Sequence, residues 1–143
     1  MSDFEPRVWR SEKARAKREK RRLRRQRVKK GYDEMDVMDV DQWFIRTVHA
    51  MLVDERAHLE SWPTLTDDGE YVHGPGPELV RIHDEGEQPP EAWLRVLDRM
   101  IWLSGELERG HVPERTAAEK EHMAQCRREF FALFSKYFYS LWG

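Results

Sequence analysis

The clearest pattern in the chain is the recurrence of apolar residues at steps of three and four. From Val40 to Glu60 the positions Trp43, Phe44, Val48, Met51, Leu52 and Leu59 recur in this way with charged residues between them, which predicts a helix with one core-facing side. Asp39 can cap its start, and Trp62-Pro63 closes it. A second block begins at Pro90, a residue suited to the first position of a helix, and carries Trp93, Leu94, Leu97, Ile101, Leu103 and Leu107 on its apolar side before Gly110 and Pro113 stop it. A third starts near Glu114 and runs almost to the C-terminus, with Met123, Cys126, Phe130, Phe131, Phe134, Phe138 and Leu141 on a wide aromatic face. Three helices with one apolar side each can bury those sides only against one another, so the expected fold class is all-α, a small helical bundle.

Between the first two blocks, residues 63–90 hold Pro63, Gly69, Gly74, Pro75, Gly76, Pro77, Gly86, Pro89 and Pro90, which predict a long loop. Glu78 to His83 leave room in it for one helical turn or a short extended piece. Ahead of the first block, Gly31-Tyr32-Asp33 breaks the chain, and Asp33 with Asp36 three residues on reads as a cap for a short helical turn to Met38.

Residues 1–30 break the pattern altogether. They hold 14 Lys/Arg against 4 Asp/Glu, whereas residues 31–143 hold 11 against 23, so a net charge of −2 conceals a basic arm joined to an acidic body. Two regions follow: the arm, 1–30, and a helical-bundle domain, 31–143, with the loop 63–90 inside it. No helix breaker lies between Trp9 and Lys30, and Pro6 stands where a helix can start. Leu23 and Val28 are the only aliphatic residues larger than alanine after Trp9, so the arm has no apolar stripe to hold it on a core. Like charges at Arg18/Arg22 and Arg21/Arg25 oppose helix formation until an anion screens them, and the free arm is expected to fray.

Such a run suits a phosphate backbone, because each neutralised phosphate releases condensed counterions and binding becomes tight, salt-sensitive and blind to sequence. The expected nucleic-acid contacts are Arg10, Lys13, Arg15, Lys17, Arg18, Lys20, Arg21, Arg22, Arg24, Arg25, Arg27, Lys29 and Lys30. The excess of arginine adds bidentate phosphate contacts and base stacking, which leans toward structured or single-stranded RNA over plain duplex DNA. The competing readings are an arm neutralised by an acidic protein surface, its own body included, and an anionic membrane surface, which the lack of an aromatic or leucine face disfavours. The acidic stretches Asp33–Asp41 and Glu78–Glu91 repel nucleic acid, which confines any such contact to the arm.

The segments Gly31-Tyr32-Asp33-Glu34-Met35-Asp36-Val37, Asp39-Val40-Asp41-Gln42-Trp43-Phe44 and Lys136-Tyr137-Phe138-Tyr139-Ser140-Leu141-Trp142 resemble a family of small helical proteins of tailed phages and prophages. That family reads basic segment, G-[WY]-S-x-x-D-x-W-x-x-D, a long helix, a Pro/Gly loop, a Trp-containing helix and a closing K-Y-F-x-x-L-W. The order matches over residues 20–143, with Asp33 in place of Ser, Met38 in place of Trp and Gly143 in place of an acidic residue. The resemblance implies a phage or prophage origin and a helical fold, and brings no activity with it.

Candidate chemistry is sparse. Two E-x-x-H steps, Glu55/His58 and Glu119/His122, match the spacing used in ferritin-like di-iron sites, with Asp41, Glu106 or Glu108 left to complete the set. His58 sits at a helix end beside Trp62-Pro63, which argues against an inward-facing ligand, and no metal or cofactor is expected. His49, His73, His83 and His111 share no ligand spacing. Cys126 with His122 one turn earlier is a possible nucleophile–base pair, but a thiol on an apolar face stays protonated. The lone cysteine excludes an intramolecular disulfide and suits a reducing cytoplasm. There is no P-loop and no nucleotide-binding glycine motif. No catalytic residue is expected.

Trp93, Trp102, Phe130, Phe134, Tyr137, Phe138 and Trp142 read mainly as core, with Tyr137, Phe138 and Trp142 near the C-terminus as a candidate protein interface. No stretch nears the roughly 18 apolar residues needed to span a bilayer, and no secretory h-region opens the chain. The expectation is a cytoplasmic or virion-associated accessory protein that contacts nucleic acid through its arm. The alternative is a non-enzymatic protein-binding virion component or effector, in which a protein partner or self-association does the work.

Overall fold

The computed structural model describes residues 7–63, 74–78, 90–110 and 115–141, with side chains from residue 11 onward. It is all-α: the described residues form α1 (Arg7–Lys30), α2 (Glu34–Met38), α3 (Val40–Ala57), α4 (Glu91–Arg109) and α5 (Ala117–Lys136), followed by a 3-10 turn (Phe138–Ser140), with no strand among them. Two compact units divide the chain, Met1–Trp43 and Phe44–Gly143. The division falls within α3, twelve residues beyond the change in composition at Gly31.

In the first unit the helix that the arm's composition permits is unbroken over 24 residues. Its last turn places Arg27, Lys29 and Lys30 at the negative end of the helix dipole. Gly31 then takes φ +83°, a left-handed conformation that glycine adopts without penalty, while its N–H donates to Arg27 O at 2.8 Å. This C-cap turns the chain so that α2 returns along α1. Asp33 caps α2 through a reciprocal box: its Oδ1 accepts from Asp36 N–H at 2.9 Å, and Asp36 Oδ2 accepts from Asp33 N–H at 2.9 Å.

The second unit is built on α4. His49 pairs with Ser104 and Arg56 with Asp98, so α3 and α4 run antiparallel. Trp93 meets Tyr137 while Trp102 meets His122, so α4 and α5 are antiparallel too. α3 and α5 are therefore parallel neighbours, joined where Phe44 stacks on Phe131 and meets Phe134 edge-on. The core takes Ile45 and Leu52 from α3, Trp93, Val96, Leu97, Met100 and Leu103 from α4, and Cys126, Phe130 and Leu133 from α5.

Several expectations shift. Val96 and Met100 are fully buried although the apolar periodicity of the helix omits them, because α4 is covered from two sides and its buried arc is wider than one stripe. Leu94, Ile101 and Leu107 are only half-buried, and Met51 and Phe131, expected inside, are 65% and 44% exposed. Pro90 stands at the N-cap of α4 and not at its first residue, α3 ends at Ala57 and not at Glu60, and α5 starts at Ala117 under a Thr116 cap. The expected turn over Glu78 to His83 and the histidines His73, His83 and His111 fall, apart from Glu78, outside the described residues.

A buried arginine fastens the loop segment 74–78 to this unit. Arg99, 3% exposed, meets Glu129 through two parallel bonds of 2.7 and 2.8 Å and donates from Nη1 to the carbonyls of Pro75 at 2.6 Å and Pro77 at 3.2 Å. Its guanidinium also lies 5.2 Å from the Trp102 ring centroid. Gly76, at φ +92°, rests on the same indole so closely that a Cβ would overlap the ring.

Glu55 on α3 has one carboxylate oxygen buried without a hydrogen-bond partner, and desolvation raises its pKa. A carboxyl whose folded pKa lies above its unfolded one contributes stability that is complete below the unfolded value and lost as pH rises through the folded value. Glu55→Gln should therefore leave the protein as stable or more stable at neutral pH. It should also flatten the decline in melting temperature just above the ordinary glutamate range, read by thermal unfolding across pH.

Candidate nucleic-acid interface

The expected basic contacts sit on α1, and the helix sorts them onto two faces. On one, Arg22 Nη2 lies 2.5 Å from Glu34 Oε1, Gln26 Oε1 accepts from Glu34 N–H at 2.8 Å, and Arg27 Nε lies 2.5 Å from the buried Asp33 Oδ2. The Arg27–Asp33 contact is an ion pair off the hydrogen-bonding angle. Leu23 and Gln26 are the half-buried residues among the described side chains of α1, and Gln26 is held by Glu34 of α2. The acidic turn thus screens part of the like-charge repulsion expected to fray the arm.

The other face carries Lys17, Arg21, Arg24 and Arg25, all exposed, with Lys20 exposed on the flank it shares with Arg27. Arg21, Arg24, Arg25 and Val28, spaced i, i+3, i+4, i+7, line one open surface groove. Arg15, Arg18, Lys29 and Lys30 are exposed elsewhere on the helix, and Lys13 is exposed with an interaction of its own. Arg10 lies on α1, ahead of the described side chains. Periodicity carries this sorting, but the docking of α2 that decides which face stays open was not legible without the fold.

Elsewhere the sequence candidates meet different fates. Cys126 Sγ and His122 Nε2 are 3.6 Å apart, and the same nitrogen lies 3.3 Å from Glu106 Oε2. When Nε2–H donates to Glu106 it has no lone pair with which to take the thiol proton. Burial pushes the Cys126 thiol up, with Glu106 and Glu129 adding to the shift, so the pair has no activated nucleophile. Glu106, Glu119 and His122 border a common pocket with Arg109 and Arg115, while His58 is exposed at the end of α3. Among the described residues no three His, Cys, Asp or Glu are grouped to hold a metal ion.

Of the expected protein-interface residues, Tyr137 is half-buried with its ring 5.7 Å from Trp93, Phe138 is exposed, and Trp142 lies outside the described residues. Phe131, at 44% exposure, and Tyr139, at 89%, extend the exposed aromatic surface beyond them. Arg99 and Ser104, both buried polar residues, had no signal in the sequence. Ser104 donates to Ile101 O at 3.0 Å and accepts from His49 Nδ1 at 2.8 Å, which ties α3 to α4. No described helix is long and apolar enough to cross a membrane. In comparisons with known proteins the chain matches no family model, and no curated protein or solved structure is similar to it.

Proposed function

We propose that this chain is a nucleic-acid-binding accessory protein of the phage type, with α1 held against the phosphate backbone and the helical body as its platform. One observation carries the reading: α1 is a continuous helix whose open face is basic from Lys17 to Arg25 while α2 occupies the other. A preformed helix places its cations in a row at about 1.5 Å per residue, so little ordering entropy opposes their contact with a row of phosphates. Removing residues 1–30 should abolish binding while the second unit keeps its helical signal. In the full chain, affinity for a duplex or a single strand should fall about a thousandfold between 50 and 200 mM salt, the loss that goes with about six phosphate contacts. A flat salt response would sink the reading.

A second reading, protein binding by the body, is favoured by the aromatic run Phe131, Phe138 and Tyr139 at the surface. Aromatic side chains concentrate at binding hot spots. Co-purification with one protein partner that survives nuclease and is lost in Phe138→Ala would move the function from the arm to this run.

A further inference from the structure

The nucleic-acid reading leaves the polymer open, and the two faces of α1 bear on it. Positions 21, 24, 25 and 28 point, at about 100° per residue, roughly 180° away from positions 19, 22, 23 and 26, the side where Glu34 docks. Glu34 therefore lies behind the Arg21–Val28 face and Asp33, held by Arg27, lies on its flank, roughly 110° round the helix, where both repel phosphate. A helix so encumbered suits a groove that receives one side and leaves the other open. The B-form major groove, about 12 Å wide, admits a helix about 10–12 Å across in that manner. The A-form major groove of RNA is deep and narrow, and would bring phosphates against Asp33 and Glu34.

Val28 supplies a second, independent discriminator. It is 83% exposed at the C-terminal end of an otherwise cationic face, one turn beyond Arg24 and Arg25. An aliphatic side chain gains nothing from phosphate. In the grooves of nucleic acids the apolar group within reach of a helix is the C5-methyl of thymine, on the floor of the DNA major groove. Uracil has none. The flanking guanidiniums match guanine O6 and N7 in the same groove, and the cluster spans about 10 Å of helix axis, roughly three base pairs.

We propose that α1 lies in the major groove of B-form duplex DNA, with Val28 against a thymine methyl and Arg21, Arg24 and Arg25 reaching the neighbouring base edges and phosphates. This rests on the nucleic-acid reading above and reverses the preference for RNA that arginine content alone suggests.

The test uses the full-length protein and a randomised 20-base-pair DNA duplex. Duplexes enriched by binding are remade with deoxyuridine for thymidine and as RNA of the same sequence. Fluorescence anisotropy at one salt concentration should give the thymidine duplex about fourfold tighter binding than its deoxyuridine counterpart for each methyl contacted. It should also give the thymidine duplex at least about tenfold tighter binding than the RNA duplex. Val28→Ala, an exposed helix position where alanine is well tolerated, should abolish the thymidine–deoxyuridine difference with unchanged helical circular dichroism. Equal affinity for the two DNA duplexes, tighter binding to RNA, or failure to enrich any sequence overturns the proposal while leaving phosphate binding in place. Absence of binding to every probe, DNA or RNA, overturns the nucleic-acid reading itself.

Discussion

Replacing Arg99 by methionine should destabilise the second unit by about 3–5 kcal/mol, the usual cost of removing one partner from a buried charge pair. The loss is large because four acceptors depend on one side chain: both oxygens of Glu129 and the carbonyls of Pro75 and Pro77. The glutamate is left charged with its side chain only 17% exposed, and the 74–78 segment loses its tether over Trp102. In thermal unfolding followed by circular dichroism, the midpoint should fall by about 15–25 °C. Arg99→Lys should recover little, since an ammonium cannot reproduce the planar fork that meets Glu129 and reaches both carbonyls. Arg99→Met with Glu129→Met should recover more than Arg99→Lys, because the uncompensated charge disappears with its partner. An unchanged midpoint in Arg99→Met would mean that the pair contributes nothing to stability.

Phe130→Ala should cost about 3–5 kcal/mol as well, through a different mechanism. Phe130 is fully buried, stacked on Phe134 with ring centroids 5.6 Å apart and edge-on to Phe131 at 5.3 Å. Truncation removes its transfer energy and opens a cavity where α4 and α5 meet, walled by rings too rigid to collapse into it. Phe138→Ala, two residues beyond the end of α5 and 51% exposed, should stay within about 1 kcal/mol of the parent. Urea unfolding of the two variants separates the buried aromatics from those at the surface. Comparable losses in both would make the exposed run part of the scaffold and remove the support it gives to protein binding.

The helices were legible in the sequence because each depends on local signals. Steps of three and four mark α3, α4 and α5, and Gly31 with the Asp33–Asp36 box marks the break after α1 and the start of α2. Which apolar residues are buried was only partly legible. Periodicity identifies the apolar side of a helix but does not say how much of it a neighbour covers. Met100 and Phe131 fall on either side of that ambiguity, the first fully buried against two helices and the second at the outer edge of the α3–α5 contact. Arg99 was illegible for a related reason. A buried guanidinium needs partners that converge in space, and Glu129, Pro75 and Pro77 lie 22 to 30 residues away.

By itself the sequence determined the helical class, the positions of the breaks and the separation of a basic arm from an acidic remainder, since propensity, periodicity and net charge are local or additive properties. The tertiary structure alone decided which face of the arm stays open. Within the seven helix positions from Arg21 to Arg27, three arginines on the groove alternate with two held by the acidic turn. The difference arises because Gly31 reverses the chain and docks Asp33 and Glu34 on one side of α1, so that identical arginines acquire opposite surroundings.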